Sequence, residues 1–450
     1  MNIAHHLLLF PVLLVFGCET VDRARRAQAS EERWPGETSV TAAQAGLSAA
    51  HPFTLAELER VALEHHPALL SARQAVEAAR LQLRMTHAGR LPQLNASAAY
   101  TRNTQNAWGR STASEARGSW SAGVGLDLLL YDSGRLDAAE RQNVEALIAA
   151  EQSLRDAELE TAHAVRTAFF ERHRSVHLMN VAVESESQYA QHLEEARIMT
   201  EVGTRRQYDV TKAEVDWGNA RLEVVTASNN LVVAHAQLNR ALGLAENPDY
   251  RIEPGELPNP RRYPDALLAD ARFNAPSLAV LRARERAASA YVDQTIAELY
   301  PEFSLGADAD LSGRGFPFVW NLSGALRAAQ NLFDGHRKTA RIDEAVTQLR
   351  RARAAVAEAE QTLYLNLVTA VAERESARKR ADIARLIQKQ AEDNLAIVNE
   401  QYRVGISSSI ERTDAQVALT QAQANVIRAA YDEQAAIARI ARLTGIPITQ

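Results

Sequence analysis

Hydrophobic positions in this chain follow two periods, and each period occurs twice. A period of two runs through 94–101, 119–128, 303–311 and 318–327. In 119–128, for example, Trp120, Ala122, Val124, Leu126 and Leu128 alternate with Ser119, Ser121, Gly123, Gly125 and Asp127. That alternation predicts half-buried strands of roughly ten residues. A helical period governs the rest. Residues 135–202 (68 residues) and 336–404 (69 residues) contain neither Gly nor Pro and are rich in helix formers. At 1.5 Å per residue, each predicts a helix about 100 Å long. Both end at Val-Gly, where Gly203 and Gly405 suit a left-handed cap. Further helices are expected over 207–242 and 409–444, and over 67–90 and 276–299. The first short helix of each set is placed near the strands and the second near the Val-Gly tip, end to end beside the long one. Leu363, Leu367, Ala370 and Val371 recur at helical spacing without a strict heptad, which predicts a curved wall of helices.

The two sets are one unit written twice. "LLYDSGR" (129–135) returns as "NLFDGHR" (331–337), so that Tyr131, Asp132 and Arg135 match Phe333, Asp334 and Arg337 at an offset of 202. Val202-Gly203, Ala213, Arg240 and Gly243 keep that offset to Val404-Gly405, Ala415, Arg442 and Gly445. Upstream the offset is 209: Pro67 matches Pro276, and Pro92 matches Pro301. The repeat unit is helix–strand–strand–long helix–helix, and its one length change lies between Pro92 and Tyr131, as expected of a surface loop.

The strand chemistry points to a bilayer. One face is apolar with aromatics near the ends, and the other carries Ser, Asn, Gly and Asp, as a water-filled lumen requires. A soluble pair of hairpins on a helical core is the alternative. Four strands are too few to close a barrel, and open edges in lipid leave costly unpaired backbone groups. Three chains would supply 12 strands. The fold class is therefore mainly α with transmembrane β.

Composition narrows the rest. Over 450 residues the net charge is −6, so no basic field suggests nucleic acid. Cys18 is the sole cysteine. The apolar run 7–16 is too short to span a bilayer as a helix but has the length of a signal-peptide core. "VFGC" resembles a lipobox, the signal for acylation of the cysteine in bacterial lipoproteins. A plain signal peptide with a chance cysteine is the other reading. The expected division is a signal peptide at 1–17, a lipid-anchored arm or linker at 18–53, repeats at 54–250 and 264–446, a linker at 251–263 and a tail at 447–450.

The ordered motifs "TLAELERVALEHHPAL" (54–69), "AGRLPQLNASAAYTR" (88–102), "YDSGR", "NLFDGHR", "EVGTRRQYDV" and "YRVGISSSIERTDAQ" resemble the TolC-like outer membrane factors, in their lipoprotein efflux branch. The resemblance covers about 54–446. It implies a homotrimer with a shared 12-stranded outer membrane β-barrel and a long periplasmic α-helical barrel. The implied function is a passive exit duct of a tripartite efflux system, working with a periplasmic adaptor and an inner membrane transporter and anchored in outer membrane lipid. The sequence shows no nucleophile elbow, phosphate loop or metal-ligand cluster, so it makes no case for an enzyme or a cofactor. A type I secretion duct, or a structural lipid-tethered coiled-coil or adaptor protein, are the alternatives.

The resemblance also assigns residues. Gly203 and Gly405 mark the tip turns, and Asp209 and Tyr402 occupy gating positions. Glu411 and Asp414 occupy positions where acids ring the channel constriction. Ser408-Ser409-Ile410-Glu411 equally reads as a helix capping box. Two departures stand out. The usual Asn-Pro at the start of the helix before the strands is His66-Pro67 here, and Ala275-Pro276 in the second repeat. Where the efflux archetype has an arginine two residues after the second tip glycine, this chain has Ser407, and Arg205 holds the matching place in the first repeat. The gate network that holds the tunnel shut is therefore expected to be rewired or weaker. His173 and His177, at i and i+4, could hold a metal on one face, but no third ligand is apparent and they are expected on a solvated surface.

Overall fold

The computed structural model describes residues 20–28, 41, 46, 52–103, 117–244, 246–255, 257, 264–315 and 317–445. The expected signal peptide, Cys18, most of the arm and the tail 447–450 lie outside them. The elements are α1 (Leu55–His65), α2 (Pro67–Ala88), β1 (Gln93–Asn103), β2 (Arg117–Tyr131), α3 (Arg135–Glu201) and α4 (Gln207–Ala241). The second repeat gives α5 (Pro264–Asn274), α6 (Pro276–Ala297), β3 (Glu302–Gly313), β4 (Val319–Ala329), α7 (Arg337–Arg403) and α8 (Ser409–Thr444). Residues 20–28 are also helical.

Two helices were not anticipated, α1 and α5. Each precedes a proline, Pro67 or Pro276, that opens the next helix. The residue before each proline is extended, His66 at ψ 127° and Ala275 at ψ 115°, because the pyrrolidine ring excludes the helical region there. The α1 start is a capping box: Thr54 N–H donates to Glu57 Oε2 (2.8 Å) and Glu57 N–H to Thr54 Oγ1 (3.3 Å).

The repeated aspartates start the long helices. Asp132 accepts from the N–H of Gly134 (3.2 Å) and Leu136 (2.6 Å), and Asp334 from Arg337 (3.0 Å) and Lys338 (3.2 Å). Each satisfies amide groups left free at a helix start. Both turns take two consecutive positive-φ residues, Ser133-Gly134 and Gly335-His336, so each repeat spends its single glycine on a different half of the same pair.

The described residues fall into two compact units. One contains α2, the strands, α5, α6, the first part of α3 and α7, and the end of α8; the other contains α1, α4, the tip turns and most of α8. In the strand-bearing unit, Leu267, Ala271 and Ala275 of α5 and its C-terminal flank pack with Leu278, with Leu363, Leu367 and Ala370 of α7, and with Ile440 of α8. The glycines that follow α4 and α8 allow close approach. Gly243 (φ 79°) would place a Cβ 3.0 Å from His66 Cα, and Gly445 (φ 65°) one 2.5 Å from the Asn274 carbonyl oxygen. Gly405 (φ 82°) has open space instead. Alanine at either position costs about 1–2 kcal/mol for the left-handed backbone. Gly445→Ala adds the overlap with Asn274, so it should lower the thermal midpoint in detergent more than Gly405→Ala. Equal losses would show that Asn274 yields freely.

The four strands form one antiparallel sheet in the order β1-β2-β3-β4. The register keeps the two faces distinct. Ala96, Val124, Ala309 and Leu322 lie in one apolar row, and Ala98, Ala122, Leu311 and Trp320 in the next. On the other face, Asp308 and Asp310 stand opposite Gly125 and Gly123. Within the chain, Trp120, Val124, Trp320, Leu322 and Leu326 of the apolar face are exposed. β1 and β4 are the outer strands, so the sheet has two edges without a ladder partner among the described residues. No helix among the described residues is long and apolar enough to cross a membrane.

Candidate functional site

The expected site residues gather at the two Val-Gly turns. Both turns close in the same way. After Gly203 (φ 78°), the N–H groups of Thr204 and Arg205 donate to the Met199 carbonyl (3.0 and 3.2 Å). After Gly405, those of Ile406 and Ser407 donate to the Gln401 carbonyl (2.9 and 3.2 Å). The left-handed glycine satisfies the last helical carbonyls.

Where the repeats differ, at Arg205 and Ser407, they meet. Arg205 Nη2 donates to the carbonyl oxygens of Tyr402 (3.0 Å) and Ser407 (3.5 Å). Its guanidinium also lies 4.4 Å from the centre of the Tyr402 ring. Arg412 lies 5.0 Å from that ring and His192 meets it edge-on at 5.4 Å. Tyr402 is fully buried in the tip, and its hydroxyl has no hydrogen-bond partner among the described residues. Burial pushes its pKa up. Asp209 therefore does not bond Tyr402. It accepts from Ser409 Oγ at 2.7 Å and faces the Arg206 N–H at the start of α4.

Glu411 and Asp414 are both exposed on α8, but Glu411 is engaged. Its carboxylate accepts from Ser407 Oγ and from the Ser408 N–H (3.0 Å), while its own N–H donates to Ser408 Oγ (3.3 Å). That is the capping box. The hydrogen bond from Ser407, then that from Ser408, holds the Glu411 pKa below the usual carboxylate range. Since the folded value is depressed, the cap's contribution is present above the unfolded pKa and is lost as pH falls through the folded one.

A polar seam not anticipated from the sequence joins α8 to α3. Arg412 Nη1 donates to Glu195 (2.6 Å) and to His192 Nδ1 (2.9 Å), Gln416 to Gln188, and Thr420 Oγ1 lies 3.4 Å from Ser185 Oγ. The signal was present: positions 412, 416 and 420 are four apart, so they share a face. Such a row reads as a solvated surface until a partner helix is known. Burial, then the Arg412 charge, lowers the His192 pKa to about 4, which keeps Nδ1 free to accept.

His173 corrects an expectation. It is buried, not solvated, with its ring 4.6 Å from Phe169. Burial first, then Arg172 and His177, lowers its pKa to about 4. His177 is exposed. No group of metal-binding side chains occurs among the described residues.

Comparison with known proteins gives this geometry its context. The profile of outer membrane efflux proteins matches residues 58–244 and 267–446. Outer membrane protein OprJ of Pseudomonas aeruginosa is 25% identical over 388 residues, spanning 80% of this chain and 78% of that protein. A probable outer membrane lipoprotein, SilC of Salmonella typhimurium, is 23% identical, spanning 83% and 81%. The crystal structure of a membrane protein from Pseudomonas aeruginosa superposes with a TM-score of 0.77 at 22% identity, over 87% of this chain and 90% of that one. With most of its length matched in two successive halves, this chain belongs to the outer membrane efflux protein family.

Proposed function

We propose that the chain is one subunit of a homotrimeric, passive exit duct in the outer membrane. It would carry solutes delivered by an inner membrane transporter and a periplasmic adaptor to the exterior, and would perform no enzymatic reaction itself. The observation that carries the reading is the sheet. One face is apolar and exposed, the other is small and acidic, and both edges lack a partner among the described residues. In lipid those edges need other copies, and three copies give a 12-stranded barrel with a polar interior. Detergent-purified protein should contain three chains per particle and conduct ions in planar bilayers. A monodisperse monomer without conductance would remove the reading.

At the tips, Gly203 and Gly405 form the turns, Tyr402 and Arg205 hold them together, and Asp209 anchors the neighbouring helix start. Asp414, exposed and outside the capping box, is the acid that faces the constriction, and three copies would set a ring of carboxylates there. Such a ring favours cations. Asp414→Ala should shift the reversal potential towards non-selectivity. Glu411→Ala should loosen the start of α8 with little change in selectivity. If selectivity follows Glu411 alone, the assignment is reversed. Cys18 would carry the lipid anchor, a reading supported by the likeness to a probable outer membrane lipoprotein. Labelled palmitate should enter the wild type and not Cys18→Ser; label retained in the variant would refute it.

A further inference from the structure

Helices α3 and α4 form one hairpin, and α7 and α8 form another. Within each, the contact near the tip is apolar: Leu193, Ala196, Val210 and Ala213 in the first, Leu395, Ala415 and Leu419 in the second. Between the hairpins the contacts near the tip are polar. Arg412 of α8 reaches His192 and Glu195 of α3, Thr413 donates to Asp216 of α4 (3.0 Å), and Ser409 donates to Asp209. A joint made of polar groups responds to a change of charge, whereas an apolar one does not.

At the centre of this joint is a histidine that must stay neutral. His192 is 5% exposed. A guanidinium has no acceptor atom, so in the 2.9 Å contact with Arg412 Nη1 it is His192 Nδ1 that accepts, and a protonated ring cannot. The two carboxylates that face it are already engaged. Glu195 is held by Arg412 (2.6 Å), and Asp216 by Lys212 (2.6 Å) and Thr413. On the α7 side the ring meets Tyr402 edge-on, and the Arg205 guanidinium stacks on the same tyrosine. Protonation therefore sets a cation against Arg412, breaks the hydrogen bond between them and leaves two like charges in a buried site.

We infer that acid in the compartment bathing the tips protonates His192, parts the α3–α4 hairpin from the α7–α8 hairpin, and so opens the duct. This rests on the duct reading and names a signal to which that duct responds. The sign follows from burial. In the joined tip the His192 pKa is lowered to about 4, and once water reaches the ring it returns to about 6.5. The contribution of neutral His192 to joining is therefore fully present above about pH 6.5, and it weakens about tenfold per pH unit as pH falls towards about 4. From pH 7 to pH 5 the joined-to-parted ratio should fall about 25-fold.

The test is a pH series on the full-length protein in planar bilayers, acidified only on the side of the tips. The closed-to-open ratio of the wild type should fall about 25-fold from pH 7 to pH 5. His192→Gln keeps an acceptor for Arg412 but cannot be protonated, so its ratio should stay flat over that range, whatever its level at pH 7. Asp414→Asn separates this response from titration of acids at the constriction: cation selectivity should fall while the response of the ratio persists. A clamp gives a second reading. Ser185 Oγ and Thr420 Oγ1 lie 3.4 Å apart across the seam, so Ser185→Cys with Thr420→Cys should bridge within one chain, as the mass of the linked peptides will show. The bridged protein should lose its acid response and regain it on reduction. A conducting wild type with a flat ratio, a response that survives in His192→Gln or in the bridged protein, or one abolished by Asp414→Asn overturns the inference and leaves the duct standing. Protein that conducts at no pH sinks both.

Discussion

Val124→Arg combined with Leu322→Arg should abolish assembly in the outer membrane. The two residues lie in one row of the apolar face, separated by Ala309, near the middle of β2 and β4. An arginine on the lipid face near the bilayer midplane costs about 2–4 kcal/mol. Two per chain in the proposed trimer cost about 12–24 kcal/mol, as much as or more than the roughly 5–15 kcal/mol by which folded proteins are stable. The control is on the opposite face. Asn321→Arg, beside Asp310, should assemble normally and reduce cation conductance. Membrane fractionation and heat-resistant trimer on gels read the first effect, and bilayer recording reads the second. Equal tolerance of both changes would mean that the exposed apolar face does not meet lipid.

Arg205→Ala should open the tip. The side chain makes charge-assisted hydrogen bonds to two carbonyl oxygens and stacks on the Tyr402 ring. Such hydrogen bonds contribute about 1.5–3 kcal/mol, and the stacking about 0.5–2 kcal/mol. Loss of roughly 2–5 kcal/mol shifts a closed-to-open ratio about 30- to 5,000-fold. Single-channel conductance should rise several-fold, and cells should admit bulky hydrophilic antibiotics. Arg205→Lys should only partly rescue, because a lysine ammonium cannot present a planar fork to two acceptors while stacking on a ring. Unchanged conductance in Arg205→Ala would assign the closure to other contacts.

The architecture was largely legible because it is local. Alternation marked all four strands to within a few residues, and the register put every predicted apolar row on one face. Runs without Gly or Pro marked α3 and α7, and the repeated Asp132 and Asp334 turned out to be their caps. α1 and α5 are hard to read from sequence because each is only 11 residues, and because Pro67 and Pro276 open one helix while closing another. The tip was legible only in outline. Glycine positions are set by local backbone geometry, whereas the partners of Arg205, Arg412 and Tyr402 depend on which helices become neighbours. His173 was misplaced for the same reason: a histidine on a polar helix is buried only when a neighbouring segment covers it.

The unlike edges of the sheet carry a genetic consequence. A subunit whose β4 edge is blocked still presents a normal β1 edge, so it can join a growing ring but not complete it. Co-expressed at equal levels with the wild type, such a subunit would, in the proposed trimer, leave roughly one assembly in eight free of defects. Edge mutations should therefore be dominant, and their severity should track the ratio of the two gene products. Loss-of-expression alleles of the same gene should be recessive.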